Sequence, residues 1–357
     1  MPPAPRHRLR VVALGGGHGL YASLSALRLL DADITAVVTV ADDGGSSGRI
    51  RRELGVLPPG DLRMALAALA ETTVEQPETT AGQPETTTAE QPAADPAPWA
   101  TVLQHRLGGI GALAGHPIGN LLLTGLMELH TDPVQALDAL ARLVGARGRV
   151  LPMAVQPLDL IAEVASVDRD DPVQLRRIRG QSAIAATAGR VTSITLVPAD
   201  PPPCPEAVQA ILRADLVILG PGSWFTSVIP HLLVPGLAAA LTLTEARRVI
   251  ILNLEPQAGE TDGFSPEEHL RALREHCPRL KVDVVIADSG SVLDPRGLRR
   301  YTDSAGARLV LAPVAATEEA ARHDPVMLSV AVAEAAGLDQ NDSEPALPAR
   351  GPEQGVR

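Results

Sequence analysis

Six short apolar runs are the feature of this 357-residue chain that most constrains its fold. Each is rich in valine, isoleucine or leucine and ends at glycine, proline or a polar residue, which is typical of buried strands. Amphipathic segments such as 21–30 and 266–276 separate most of the runs, so the strands are predicted to be parallel and joined by right-handed helical crossovers. The predicted fold is therefore α/β and Rossmann-like, with helices on both faces of a mostly parallel sheet. The runs are residues 11–14, 34–40, 214–220, 248–254, 282–287 and 307–313.

The middle and the end of the chain depart from this alternation. Segments 149–168 and 182–198 are predicted to form short strands in hairpins, as a small antiparallel insertion. Residues 72–98 contain the sequence QPETT twice within a run of threonine, glutamate, glutamine, proline and alanine, which indicates a disordered insert. Residues 340–357 are predicted to be a flexible tail. One α/β domain is therefore expected over residues 9–330.

The charge and cysteine content exclude several classes of function. The net charge is −11, which argues against non-specific binding to nucleic acid or to an anionic membrane. Cys204 and Cys277 lie far apart and form neither a disulfide framework nor a zinc-ligand spacing. No apolar run reaches the length that spans a membrane, and the first residues lack the apolar core of a signal peptide. A cytoplasmic protein without a membrane span is predicted.

Glycines cluster after the first apolar run, where a parallel sheet places its ligands. Gly15, Gly16, Gly17 and Gly19 let the backbone curl around an anion at the start of the next helix, so phosphate or nucleotide contact is predicted. As a dinucleotide fingerprint the pattern is imperfect, since Leu20 occupies the place of the third glycine. The alternative is that these residues form only a tight turn.

Three aspartates follow the second apolar run. Asp42 and Asp43 lie roughly 25 residues after the first glycines, near where an acidic residue contacts a ribose in dinucleotide folds. One of these two carboxylates could instead hold Mg²⁺, or could cap the following helix. Asp61, in the sequence PPGD, is predicted either to contact the ligand or to be the N-cap of the next helix.

A second glycine-containing turn follows the run at 214–220. Gly220, Gly222 and Ser223, with Thr226 on the next turn, are predicted to present N–H groups and hydroxyls to a phosphate. The lysine of a P-loop is absent, so hydrolysis of the P-loop kind is not supported.

Two other stretches contain candidate polar residues. His116 and Asn120 bracket a turn before an apolar helix, and each is either a ligand contact or a structural hydrogen-bonding residue. Ser265 and Glu268 form a predicted capping box, which explains the second half of their loop. Glu260 is not needed for that cap and is a candidate for the same crevice.

Taken together, these stretches resemble the YvcK-like branch of the CofD superfamily, whose members are often called gluconeogenesis factors. The resemblance runs in order from about residue 10 to 330. The block that begins TVADDGGSSGR and ends PPGD is its most specific part. The other segments that resemble the family are GGGHGL, GHPIGNLLLTGL, RGRVLP, LGPGSWFTSVIPHLLVPG and QAGETDGFSPEEHL.

The resemblance implies a Rossmann-like fold with a nucleotide ligand across the strand ends. The YvcK-like branch is associated with cell shape and peptidoglycan synthesis on gluconeogenic carbon sources, and with binding of UDP-sugars such as UDP-N-acetylglucosamine. A tyrosine and an arginine tied to the UDP-sugar in that branch match Tyr301 and Arg322. Two positions depart from the family pattern: His18 replaces a common threonine and Phe264 a common tyrosine, and each change removes a hydroxyl.

Two functions follow from the residues and the resemblance. The first is a UDP-sugar-binding regulator without catalytic activity, whose partners are the sugar nucleotide and cell-wall synthesis proteins, with homo-oligomerisation possible. The alternative is a CofD-type enzyme that transfers a phospholactyl-type group from a guanosine diphosphate carrier to the deazaflavin Fo, with Mg²⁺. An NAD-dependent dehydrogenase is disfavoured because no catalytic pair of His and Asp or of Tyr and Lys is present. No catalytic residue is assigned.

Overall fold

The computed structural model of the chain describes residues 8–70, 98–165, 175–187, 189–257, 259–317 and 321–338. The predicted insert, apart from Pro98, and the predicted tail at 340–357 lie outside the described residues. Their disorder, and the single domain over 9–330, remain predictions.

Seven parallel strands form the main sheet, and the six apolar runs supply six of them. The strand order is β10-β9-β8-β7-β1-β2-β3, and every neighbouring pair is parallel. The strands are buried on both faces, which is why they appear in the sequence as continuous apolar runs rather than alternating ones. The strands are β1 (Leu9–Gly15), β2 (Ala32–Val38), β3 (Arg149–Pro152), β7 (Leu216–Leu219), β8 (Arg247–Ile251), β9 (Val284–Asp288) and β10 (Arg308–Ala312).

A separate three-stranded antiparallel sheet has the order β5-β4-β6. It consists of β4 (Asp159–Ala165), β5 (Leu175–Arg179) and β6 (Arg190–Val197). The predicted antiparallel insertion is thus confirmed in kind, but two of its parts were assigned wrongly. Residues 149–152 are β3, which pairs in parallel with β2 because a helical crossover precedes it. Residues 181–185 are helical rather than extended.

Twelve α-helices connect and cover the sheets within the described residues. Proline recurs at the first helical position, where its missing N–H costs nothing. The side chains of Asp132, Ser265, Asp294 and Asp324 cap four of these helices. The helices are α1 (Gly17–Leu27), α2 (Gly45–Leu54), α3 (Pro59–Ala70), α4 (Trp99–Gln104), α5 (Ile118–Leu129), α6 (Pro133–Val144), α7 (Gln181–Ala185), α8 (Pro205–Arg213), α9 (Pro235–Leu243), α10 (Pro266–His276), α11 (Pro295–Ser304) and α12 (Pro325–Ala336).

The chain order reverses between β1 and β7. From β1 the chain moves outward through β2 to β3, and from β7 it moves the other way through β8 and β9 to β10. A doubly wound sheet opens a crevice at such a point, beyond the carboxyl ends of the two central strands. The glycine turns that follow β1 and β7 both lie there.

The two cysteines and the apolar helices bear on the disulfide, zinc and membrane-spanning features that the sequence argued against. Cys204 and Cys277 are buried free thiols. Among the described residues no single helix is long and apolar enough to cross a membrane. The segments Trp224–Leu233 and Pro235–Leu243, which meet at an angle of 81°, reach that length and apolar composition only when they are taken together.

Candidate functional site

The glycine turns after β1 and β7 interlock. A Cβ at Gly19 would lie 2.1 Å from the carbonyl oxygen of Pro221 and 2.5 Å from Cα of Gly222. A Cβ at Gly16 would lie 2.5 Å from Oδ2 of Asp61. Because the obstacles at Gly19 are backbone atoms that cannot rotate away, only glycine fits there. The two turns therefore form one rigid floor at the switch point of the sheet.

A cavity of about 500 Å³ lies beside this floor. Three of the residues that line it have a buried polar atom without a hydrogen-bond partner: Oγ of Ser25, Oε1 of Gln257 and Nε2 of His323. Buried polar groups in proteins are nearly always bonded, so their gathering on one cavity indicates that a ligand or water completes them. We call it the strand-end cavity; its wall also includes His18, Gly19, Tyr21, Gly222, Asn253 and Arg322.

The imidazole of His323 is a hydrogen-bond acceptor toward this cavity. Burial lowers its pKa, although a hydrogen bond to the carbonyl of Leu252 acts in the other direction. The ring is therefore neutral at pH 7. Since Nε2 has no partner, the bond to Leu252 uses Nδ1–H, which leaves a lone pair on Nε2. With Oε1 of Gln257, the cavity thus offers two acceptors to hydroxyl or N–H groups of a ligand.

Behind the first glycine turn the carboxylate of Asp61 is buried and that of Asp42 is half-buried, and the two interact electrostatically. Burial and, to a smaller extent, the charge of Asp42 raise the pKa of Asp61 to about 7. Burial likewise raises the pKa of Asp42. Oδ2 of Asp61 has no hydrogen-bond partner, and neither has Oγ1 of Thr39, whose methyl group also lies next to Gly16. Unpaired oxygens beside a second carboxylate favour a proton or a cation at this point.

Two expectations for the aspartates need correction. Asp61 is not the N-cap of the following helix, because α3 begins at Pro59 and places Asp61 in its first turn. Whether Asp43 binds a cation remains a prediction; its Oδ1 accepts a hydrogen bond of 2.9 Å from the N–H of Ser182. That bond ties the end of β2 to α7 of the insertion. Asp42 does not cap α2 either: its Oδ1 accepts the N–H of Gly44 at 2.9 Å in the turn before the helix, and α2 has no side-chain cap hydrogen bond.

His116 and Asn120 belong to a buried hydrogen-bond network. Nδ1 of His116 lies 2.7 Å from Oγ of Ser46, and Nδ2 of Asn120 donates to the same oxygen at 2.9 Å. Oδ1 of Asn120 accepts from Nε of Arg63 at 3.1 Å, and Arg63 also donates to Gln104. Burial lowers the pKa of Arg63 to about 10. The network joins α2, α3, α4 and α5, which favours the structural interpretation of His116 and Asn120.

In the turn after β7, the groups predicted to meet a phosphate are bonded within the protein. The N–H of Gly222 donates to Oδ1 of Asn253 at 2.8 Å, and that amide donates back to the carbonyl of Gly222 at 2.9 Å. The N–H of Gly220 donates to the carbonyl of Leu14. These N–H groups therefore hold the turn in place and do not face a phosphate.

The hydroxyls of this turn are also engaged. Oγ of Ser223 donates to Oε1 of Glu260 at 2.5 Å and contacts Oγ1 of Thr226. Ser223 also caps the short π-helix Trp224–Val228. Burial raises the pKa of Glu260. Glu260, which was predicted to face the ligand crevice, thus accepts a hydrogen bond from Ser223 and stabilises the turn.

The structure separates the two residues that the resemblance paired. Arg322 lines the strand-end cavity, as expected. Tyr301 instead lines a cavity of about 470 Å³ that includes Leu280 and Val282, just before β9, and Ala307, just before β10. We call it the Tyr301 cavity. It lies near the amino ends of the strands, because α11 runs back from the carboxyl ends and Tyr301 lies in the second half of that helix.

Sequence reasoning missed several residues of the strand-end cavity. Tyr21 lies one turn after the glycines, in the sequence GGGHGLY, and that position was a usable signal. Gln257 begins the family-like segment QAGETDGFSPEEHL, which was also a usable signal. Ser25 and His323 gave none, because they reach the cavity from distant parts of the chain.

Comparisons with known proteins identify relatives over most of the chain. The family model described as 2-phospho-L-lactate transferase CofD matches residues 11–326. A protein of Mycobacterium tuberculosis named "Putative gluconeogenesis factor" is 52% identical over 342 residues, covering 95% of this chain and 94% of the relative. A "Gluconeogenesis factor" of Listeria monocytogenes is 38% identical over 283 residues, covering 79% of this chain and 78% of the relative.

A solved structure supports the fold. The crystal structure of a protein member of the UPF0052 family from Bacillus halodurans matches with a TM-score of 0.77 and 32% sequence identity. The match covers 92% of this chain and 99% of that chain. The Rossmann-like α/β fold and the expected family relationship are both confirmed.

Proposed function

The chain belongs to the CofD family, and from that premise we propose that it binds a nucleoside diphosphate sugar of the UDP-N-acetylglucosamine type in the strand-end cavity. The observation that carries this proposal is the set of three unpartnered buried polar atoms, on Ser25, Gln257 and His323. Each costs about 1–3 kcal/mol while it lacks a partner. A nucleoside has hydroxyl and N–H donors that would satisfy the two acceptors.

Arg322 and the glycine turn after β1 suit the diphosphate. A guanidinium binds phosphate oxygens in a fork, and Arg322 lines the same cavity as the acceptors. Helix α1 begins at Gly17 without a bond from an N-cap side chain, although the N–H of Gly17 is bonded to Asp61. The positive end of the helix dipole favours an anion nearby. The cavity thus combines the positive charge of Arg322, which suits phosphate, with residues whose acceptors suit the hydroxyl and N–H groups of a nucleoside.

Mg²⁺ fits the residues present, and Asp42 and Asp61 would hold it. The chemistry of the pair is suitable, since Mg²⁺ prefers carboxylate oxygens and water, and Oδ2 of Asp61 lacks a partner. When bound, the ion would neutralise negative charge on a diphosphate. Among the described residues no group of three or more His, Cys, Asp or Glu forms a metal cluster, so water or ligand oxygens would complete the shell.

The proposal extends to a cytoplasmic regulator that couples sugar-nucleotide supply to cell-wall synthesis and cell shape, acting through wall-synthesis proteins. The names of the relatives support a role in gluconeogenic growth. The hydroxyls of Ser223 and Thr226 in the β7 turn are bonded to each other and to Glu260. They are therefore poorly placed to act as nucleophiles, which supports a regulator rather than an enzyme.

A second function is favoured by one specific observation. The Asp42–Asp61 pair, in a chain that matches the CofD model over 11–326, would also suit a Mg²⁺-assisted transferase acting on a guanosine diphosphate carrier and a deazaflavin. Both functions place a nucleoside diphosphate at the strand ends. They differ in whether a product forms.

Titration calorimetry of the full chain with UDP-N-acetylglucosamine, with and without Mg²⁺, tests the proposal. Gln257→Ala should weaken binding roughly five- to tenfold, since it removes one acceptor. Gln135→Ala, on the exposed side of α6, is the matched control and should leave affinity unchanged. Binding with no product after prolonged incubation supports the regulator. No binding would contradict the proposal and favour the transferase, which Fo and a guanosine diphosphate-linked donor would then test.

A further inference from the structure

A second cavity adjoins the strand-end cavity. Its volume is about 420 Å³, and it lies beyond the carboxyl ends of β8 and β9, where α10 and α11 begin. The two cavities share one wall, the segment 253–256. Since residues 253–256 line both cavities, a ligand bound in the first cavity would lie next to the second. We call it the acidic cavity.

All the charged residues that line the acidic cavity are acidic. Its described lining residues include Glu255, Glu267, Asp288 and Asp294 and contain neither lysine nor arginine. Asp288 stays charged, because hydrogen bonds from backbone N–H groups lower its pKa despite burial. Asp294 accepts the N–H of Gly297 as the cap of α11. Such a wall repels anions, so neither a phosphate nor a carboxylate suits this cavity.

A buried acceptor also lines the acidic cavity. His269 is 5% exposed, and its Nδ1 lies 2.9 Å from the carbonyl of Ser265, to which it donates. Its Nε2 has no hydrogen-bond partner. Burial lowers the pKa of His269, so the ring is neutral at pH 7 and Nε2 carries a lone pair. The ring is held edge-on by Trp224 and Phe264.

We propose that the acidic cavity receives the terminal sugar of the nucleoside diphosphate sugar and selects sugars that are uncharged and rich in hydroxyls. Carboxylates and the Nε2 atom of His269 accept hydrogen bonds, and sugar hydroxyls donate them. A sugar with a carboxylate would meet four acidic side chains, of which only Asp294 has a cationic partner among the described residues, Arg300 at 4.0 Å. This inference rests on the proposed function of the adjoining cavity and adds its specificity.

The test compares two ligands that differ only at C6 of the sugar. Titration calorimetry of the full chain with UDP-glucose and UDP-glucuronate should give a dissociation constant about tenfold higher for the glucuronate. In Glu255→Gln/Glu267→Gln the two constants should converge to within about threefold. UDP, which lacks the sugar, serves as a reference for effects of the double variant on the first cavity. Glu275→Gln, on α10 but outside the acidic cavity, is the control and should keep the wild-type ratio.

The outcomes separate this inference from the function on which it rests. If the wild type binds both sugar nucleotides equally, or if the double variant keeps the wild-type ratio, the assignment of the acidic cavity is overturned while nucleotide binding stands. If the wild type binds neither sugar nucleotide nor UDP, the proposed function fails and this inference fails with it. A wild-type preference for UDP-glucose that the double variant abolishes supports the inference.

Discussion

The strand-end cavity and the Tyr301 cavity are nearly equal in volume, about 500 Å³ and 470 Å³, yet they differ in what lines them. The Tyr301 cavity is lined by leucine, valine and alanine, with Arg274, Arg279 and Lys281 beside them. None of its described lining residues has a buried polar atom without a partner. The strand-end cavity has three such atoms. Volume therefore does not distinguish the two, but hydrogen bonding does.

This difference has an energetic meaning. An apolar cavity with charged side chains at its edge costs the fold little, because those charges stay in water. Buried polar atoms without partners reduce stability by about 1–3 kcal/mol each. Such a cost is expected where a ligand supplies the missing partners. The comparison thus favours the strand-end edge of the sheet as the place of the proposed ligand.

The largest effect is expected for Gly19→Ala. The new Cβ would meet the backbone of Pro221 and Gly222 and force the two glycine turns apart, which should lower the free energy of unfolding by roughly 3–5 kcal/mol. Chemical denaturation measures this change, and nucleotide binding should be lost with it. Gly125→Ala, in the middle of α5 where a Cβ meets no atom within 4 Å, is the control and should stabilise by about 0.5–1 kcal/mol. Wild-type stability of Gly19→Ala would show that the turns do not interlock.

The second effect concerns Asp61 and depends on pH. Its folded pKa of about 7 lies above the value of about 3.9 in an unfolded chain. Between these values the folded state keeps a proton that the unfolded state releases, so stability falls as the pH rises from about 4 to 7 and is level above. Asp61→Asn removes this loss and should raise the free energy of unfolding by roughly 2–4 kcal/mol at pH 8 and leave it nearly unchanged at pH 4.

Denaturation at both pH values, with and without Mg²⁺, measures the effect. Mg²⁺ should stabilise the wild type and not Asp61→Asn. Asp303→Asn, on the exposed side of α11 near Tyr301, is the matched control and should change stability by less than about 0.5 kcal/mol. If Asp61→Asn were equally destabilised at both pH values, the fold would stabilise the ionised carboxylate. That result would contradict the raised pKa of Asp61.

The sheet could be predicted from the sequence because its strands are buried on both faces. Such strands appear as apolar runs, and six of the seven were recognised in this way. The seventh, Arg149–Pro152, has only four residues and ends at proline, so its pairing with β2 was not visible locally. The capping box of Ser265 and Glu268 was predicted correctly, because it involves residues three apart.

The site could be predicted only in part, since its contacts join distant residues. The glycine turn after β1 was recognised, but the bond between Gly222 and Asn253 spans 31 residues and has no local signature. Asp61 was recognised as a candidate, yet its burial against Asp42 follows from the start of α3 at Pro59. The resemblance placed Arg322 and Tyr301 together, although a helix can present a residue at either edge of the sheet.

The smallest expected effect is a change in nucleotide affinity, and it tests directly which of the two cavities binds the nucleotide. Arg322→Gln should weaken binding of UDP-N-acetylglucosamine about tenfold, because it removes a charge-assisted bond to phosphate. Arg274→Gln, the matched change in the Tyr301 cavity, and Tyr301→Ala should each change affinity less than about twofold. Titration calorimetry of the three variants gives the order. If Arg274→Gln or Tyr301→Ala weakened binding more than Arg322→Gln, the nucleotide would lie in the Tyr301 cavity, and the unpartnered atoms of the strand-end cavity would then have another ligand.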